Sequence, residues 1–194
     1  MQTSAQLCYR QPSPIVKKMI VKRFTIGVTI VGIAAMVLGG VGIATGIWFN
    51  TTKSIPVGFY LASSAPVEKG AYVLVCPPQT DIFEEAKARN YIRSGPCHGG
   101  YGYMMKRVLA AKNDILTVSD DGVYVNDIML PLSKPLNADL GGRPLPRFRA
   151  DNYTLGKAEI LIMSDVSGTS FDSRYFGPIN ISQIKTVIRP VVNW

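Results

Sequence analysis

The chain has 194 residues, 47% of them hydrophobic, with 21 Lys and Arg against 13 Asp and Glu, a formal charge of +8. Charged residues make up only 18% of it and the mean hydropathy is +0.15, so apolar material for a core is ample and disorder is excluded. One histidine, His98, leaves no multi-histidine metal site, and Cys8, Cys76 and Cys97 form no CxxC pair, so neither a metal nor any other cofactor is expected.

The charge is unevenly placed. Residues 1–23 hold Arg10, Lys17, Lys18, Lys22 and Arg23 and no acid. Residues 24–49 then run for 26 positions without a charge; as a helix they would reach ~39 Å, enough for a ~30 Å hydrocarbon core. Their six glycines would be costly in a soluble helix and are tolerated in a membrane one. The run exceeds the roughly 7–15 apolar residues of a cleavable signal peptide, which favours a retained single-pass anchor in contact with lipid. The positive-inside rule puts the basic tail in the cytoplasm, where Cys8 stays reduced, and everything after Asn50 outside. Trp48 and Phe49 fit an interfacial aromatic pair, and Gly42 to Gly46 matches a small-xxx-small pattern.

Residues 50–194 form one further domain with 16 basic and 13 acidic side chains. The cations are scattered without a basic stripe, which argues against nucleic acid as a partner. Short apolar stretches punctuated by Gly, Pro, Asn and Asp predict a mainly β domain with strands over Gly58–Ala62, Ala71–Cys76, Tyr103–Ala110, Ile115–Ser119, Val123–Val125, Ile128–Leu130, Glu159–Met163 and Thr186–Val192. Asp121-Gly122 is a hairpin turn signal. Asp81–Ile92 reads as a helix, with Thr80 as cap, acids early and Lys87 and Arg89 late. Pro131–Arg149 has no periodicity and reads as a surface excursion. Cys76 and Cys97 flank the helix; in an oxidising compartment they can bridge, and otherwise they are two buried thiols.

Three motifs hold the chemistry. Asn50-Thr-Thr-Lys-Ser-Ile-Pro-Val-Gly-Phe-Tyr60 begins where the apolar run ends, with Ser54 just before the stiff Pro56 and the permissive Gly58. Gly102-Tyr-Met-Met-Lys-Arg-Val-Leu-Ala110 places Lys106 and Arg107 on opposite faces of one strand. Lys106 is then either buried, with a lowered pKa suited to a general base, or a snorkelling edge-strand lysine. Ser164-Asp-Val-Ser-Gly-Thr-Ser-Phe-Asp-Ser-Arg-Tyr-Phe-Gly-Pro178 gathers Ser170, Asp172 and Arg174, the last two able to pair. A serine nucleophile needs a base; His98 sits in a Gly/Pro/Cys loop, and a serine–lysine dyad is the chemically reasonable alternative.

Taken together, these runs resemble the type I signal peptidase family, and more closely its membrane-anchored members from plasmid conjugation systems. The resemblance extends from the anchor onward, and the third motif is its most specific part. It implies a signal-peptidase-type β domain in the periplasm, held at the bacterial inner membrane by the N-terminal helix. It implies Ser54 as nucleophile, Lys106 as base, Ser170 as the hydroxyl orienting Lys106, and Asp172 with Arg174 as an ion pair behind the site, Asp172 counting as catalytic in the conjugation branch. The Ser54 N–H and the Thr52 hydroxyl would form the oxyanion hole. Ile55, Pro56, Tyr103, Met104 and Met105 would pair with an extended substrate.

Two departures from ordinary leader peptidases stand out: the methionine that often follows the nucleophile is Ile55, and the domain is compact behind a single anchor. Both tilt the expectation from general secretion toward a dedicated substrate, a conjugative pilin precursor matured and in some systems cyclised, alongside other conjugation-apparatus proteins. A housekeeping leader peptidase and a non-catalytic membrane-anchored β-scaffold are the competing readings.

Overall fold

The computed structural model describes residues 14–44 and 46–194. Cys8 and Arg10 lie outside the described residues. The chain divides after Ala44 into a helical unit and a β-rich unit.

The first unit is α1 (Pro14–Ala44). Its opening proline costs nothing at a position where the N–H has no intrahelical partner. Lys18–Gly42 is long and apolar enough to cross a membrane. Its hydroxyls are satisfied within the helix, Thr25 Oγ1 donating to Val21 O at 2.9 Å and Thr29 Oγ1 to Thr25 O at 2.9 Å. The apolar run does not stay helical to Phe49. The helix ends at Ala44, and Ile47–Asn50 is the first strand of the second unit, so Trp48 and Phe49 belong to a sheet and not to a helix end.

The second unit contains β1 (Ile47–Asn50), β2 (Gly58–Ser63), β3 (Tyr72–Val75), α2 (Asp81–Ala88), β4 (Ser94–Cys97), β5 (Met104–Ala110), β6 (Ile115–Val118), β7 (Val123–Val125), β8 (Ile128–Met129), β9 (Ala150–Thr154), β10 (Glu159–Met163), α3 (Ser173–Phe176), β11 (Ile179–Asn180) and β12 (Ile184–Asn193). It is mainly β, as the sequence predicts. One sheet has the order β1-β2-β12-β3-β5-β10-β11, and a smaller one has the order β8-β7-β6-β9. Apolar alternation explains the pairing: β5 buries Met104, Lys106, Val108 and Ala110 on one face. Val73, Val108, Ile160 and Ile162 pack with Phe83 and Ala86 of α2 into the main core. Helix α2 is shorter than expected, ending at Ala88, and Thr80 caps it without a side-chain hydrogen bond. The Pro131–Arg149 excursion is irregular and is tied down through Asp139, which accepts hydrogen bonds from Tyr91 Oη at 2.5 Å and Arg143 Nε at 2.7 Å.

Candidate active site

Strands β1 and β2 pair with Asn50 opposite Gly58, so residues 51–57 form a hairpin loop with Ser54 at its middle. Asn50 is 3% exposed and fills that loop. Its Nδ2 donates to the carbonyls of Thr52 at 2.7 Å, Ile55 at 2.9 Å and Pro56 at 3.1 Å. Its Oδ1 accepts from Thr52 N at 3.1 Å and Thr52 Oγ1 at 2.9 Å. One amide thereby supplies both the donors and the acceptors that a short loop cannot find within its own backbone. From outside, Tyr60 Oη donates to Pro56 O at 2.6 Å and Ser164 Oγ to Lys53 O at 3.4 Å. Gly58 is required by the neighbouring strand: its φ is +152°, and a Cβ there would lie 2.1 Å from Val192 O.

The Ile55 side chain points inward. It is fully buried in a cluster with Tyr60, Leu74 and Ile188, and neither it nor Pro56 lines the cleft described below. Ile55 anchors the loop from beneath, while Pro56 is partly buried and its carbonyl accepts from Tyr60 and Asn50.

Lys106 lies on β5 between β3 and β10, paired with Val73. An interior strand offers no edge from which to snorkel, and Lys106 is 4% exposed. Burial pulls its ammonium down to about 8, against the opposing pull of Asp172 and with a smaller push from Arg174. Its Nζ donates to Ser170 Oγ at 2.6 Å. No hydrogen bond joins Lys106 and Ser54, and Ser54 stays partly exposed.

Asp172 and Arg174 are both fully buried. The Arg174 guanidinium grips the carboxylate with two bonds, Nε to Oδ1 at 2.8 Å and Nη2 to Oδ2 at 2.9 Å. The pair sits at the start of a helix rather than on a strand. Asp172 caps α3, accepting from Arg174 N at 3.3 Å, and also accepts from Ser164 N at 3.1 Å. The remaining guanidinium N–H groups donate to Gly168 O at 2.7 Å, Ser170 O at 2.8 Å and Leu132 O at 2.9 Å. Arg174 therefore fixes the backbone that presents Ser170 to Lys106.

These parts meet in one cleft of about 480 Å³ whose walls include Thr52, Ser54, Tyr103, Met104, Met105, Lys106 and Ser170. Asp172 and Arg174 stand behind it. His98 is exposed on a 3-10 turn and is not part of the cleft. Cys76 and Cys97 are bonded, with Cα atoms 5.5 Å apart. Among the described residues no cluster of three or more His, Cys, Asp and Glu could hold a metal. The arrangement combines a partly exposed hydroxyl with a buried amine that burial shifts toward neutrality, which is what nucleophilic acyl transfer requires. Sequence reasoning missed Asn50. Its only signal was a polar residue ending an apolar run, and that distinguishes a loop organiser from a plain boundary poorly.

The family model for signal peptidase, peptidase S26, matches residues 16–194. A plasmid transfer protein TraF from Escherichia coli is 66% identical over 90% of this chain and 98% of its own length. A second TraF from Escherichia coli is 61% identical, over 89% and 98%. A conjugal transfer protein TraF from Agrobacterium fabrum is 34% identical, over 82% of this chain and 92% of its own. A solved signal peptidase I from Enterococcus faecalis is 17% identical with a TM-score of 0.39, over 66% of this chain and 100% of that one.

Proposed function

Because the chain belongs to the signal peptidase family, peptidase S26, we propose that it is a membrane-anchored serine endopeptidase that matures a conjugative pilin precursor by means of a Ser54–Lys106 dyad. The names of its relatives support the conjugative setting. The observation that carries the reading is the meeting of Ser54, buried Lys106 and Ser170 in one cleft.

Lys106 acts as the neutral amine. Ser170 holds Nζ by accepting one of its N–H bonds, which leaves the lone pair of the neutral amine free to take the Ser54 proton. Ser54 Oγ attacks the scissile carbonyl and its proton passes to Lys106 Nζ. The resulting oxyanion is held by the Ser54 N–H and the Thr52 hydroxyl, which must first leave Asn50 Oδ1, its partner in the free protein. Collapse forms the Ser54 ester and expels the amine, which takes the proton back from Lys106. Water then hydrolyses the ester; if a pilin amine attacks in its place, the product is cyclic. Tyr103 to Met105 line the path of the extended substrate. The basic tail stays in the cytoplasm and the β-rich unit works in the periplasm.

Mass spectrometry of a co-expressed pilin precursor tests this reading. Ser54→Ala and Lys106→Ala are each expected to abolish processing while the protein still inserts and accumulates. A product lighter than the linear chain by one water would report cyclisation. Normal processing by Ser54→Ala would leave the fold as a scaffold, and rescue of a cell depleted of its own leader peptidase would make it a general signal peptidase.

A further inference from the structure

The cleft wall carries three cations, Lys53, Arg93 and Lys106, and no aspartate or glutamate. That is a local excess in a chain region where basic and acidic residues are otherwise close to balanced, 16 to 13 over residues 50–194. Nearby carboxylates are already paired, Asp172 with Arg174, Asp139 with Arg143 and Asp165 with Arg107. Lys106 is buried and shifted toward neutrality. Lys53 and Arg93 are exposed and take part in no ion pair among the described residues.

Both are held in place by the backbone. Lys53 immediately precedes Ser54, and its carbonyl accepts from Ser164 Oγ. Arg93 stands before β4, where its carbonyl accepts from Gly102 N at 2.5 Å. A Cβ on Gly102 would lie 2.8 Å from that carbonyl oxygen, so the crossing needs glycine. The Cys76–Cys97 disulfide closes the far end of β4. A cation beside Ser54 and a second one on the same cleft, neither in an ion pair among the described residues, give the site a positive field.

We propose that Lys53 and Arg93 determine specificity by recognising a carboxylate on the substrate close to the scissile bond. The inference rests on the peptidase reading above. The carboxylate can come from an Asp or Glu side chain or from a nearby free C-terminus, since both offer the same two oxygens to an ammonium or guanidinium.

The test uses full-length protein in detergent and synthetic peptides spanning the cleavage site mapped on the pilin precursor. Three peptides are compared: the native one, one with Asp and Glu replaced by Asn and Gln, and one with a C-terminal amide. Loss of the recognised carboxylate is expected to raise KM about fivefold, the scale of a part-exposed ion pair. The peptide that responds identifies its source. Lys53→Glu and Arg93→Glu should raise KM for the native peptide, and placing Lys at the recognised position should restore binding to the reversed variant. General damage would instead lower kcat on every peptide alike, without that rescue. Equal KM values for all three peptides, or a mapped cleavage site with no carboxylate within about six residues, overturn the proposal. Cleavage by Ser54→Ala overturns it together with the peptidase reading. If Ser54→Ala is inactive while the wild type shows equal KM values for the three peptides, the charge inference alone is overturned.

Discussion

Asn50 and Lys106 are two buried polar side chains with different tasks, one organising the Ser54 loop and the other losing its hydration to burial. Asn50 holds the Ser54 loop through five hydrogen bonds. Asn50→Asp keeps the acceptor for Thr52 but turns a carboxylate oxygen toward the carbonyls of Thr52, Ile55 and Pro56. The expected outcome is a fall in kcat of about 100-fold, the cost of a nucleophile displaced by about an ångström, with folding stability lowered by only about 1–3 kcal/mol. Peptide kinetics and a thermal melt on the same sample check both. For Lys106 the sign of the pH effect follows from the lowered pKa. On the proposed mechanism the neutral amine is the working form, so kcat/KM should rise as pH passes through about 8. Stability should follow in the same direction. Between about 8 and the ordinary 10.5 the unfolded chain binds more protons at this site than the folded one, so the penalty of burying Lys106 is complete below 8 and fades toward 10.5. Its full size is on the order of 3 kcal/mol. Comparison of denaturant midpoints for wild type and Lys106→Met across that range should show the wild type gaining ground as pH rises; parallel curves would mean the amine is not desolvated.

At the level of elements, the hairpin formed by β1 and β2 depends on Gly58, the one residue that lets β12 approach its loop. Gly58→Ala places a methyl against the Val192 carbonyl and should cost about 1–3 kcal/mol, as overpacking does, with a larger loss of activity because Ser54 moves with the strand end. The strands were legible where turn residues bounded apolar alternation, as in β5 and β7, or a short continuous apolar run, as in β10. Strand β1 was hidden because Ile47, Trp48 and Phe49 continue the apolar run of the anchor, and hydrophobicity alone does not separate a membrane helix from the strand that follows it. Strand β9 reads Ala-Asp-Asn-Tyr-Thr and lies mostly exposed at the edge of the small sheet, so it carries no apolar signal. Helix α3 spans four residues, too few for a period. The site divides along the same line. Lys106 was legible as an anomaly, a charge inside an apolar strand, although only the placement of β5 between two neighbours decides that it is buried. The pairing of Asp172 with Arg174 was visible from their spacing, whereas its bidentate cap geometry was not. The burial of the Ile55 side chain was not legible either, because it depends on the hairpin that turns it into the core.

For the whole molecule, the +8 of the sequence resolves into parts with different work. Lys17, Lys18, Lys22 and Arg23 lie within α1, with Lys18, Lys22 and Arg23 inside the stretch able to cross a membrane, near its N-terminal end. Long basic side chains at such an end can snorkel toward the interface, and their charge opposes translocation of the tail. If that bias sets the orientation, a phosphatase active only in the periplasm should be active when fused after Trp194. Replacing Lys17, Lys18, Lys22 and Arg23 by Gln should lower that activity, because Arg10 alone would then hold the tail inside. The same fusions should show pilin processing falling in step with phosphatase activity, since a β-rich unit left in the cytoplasm would lack both its substrate's exported segment and the oxidising conditions that maintain the Cys76–Cys97 bond. Loss of that bond, which closes a loop between residues 21 apart in sequence, is worth about 3 kcal/mol on the chain-entropy model. The retained cytoplasmic fraction should therefore also melt earlier. Unchanged phosphatase activity in the Gln variant would assign orientation to the apolar segment itself rather than to the basic charges before it.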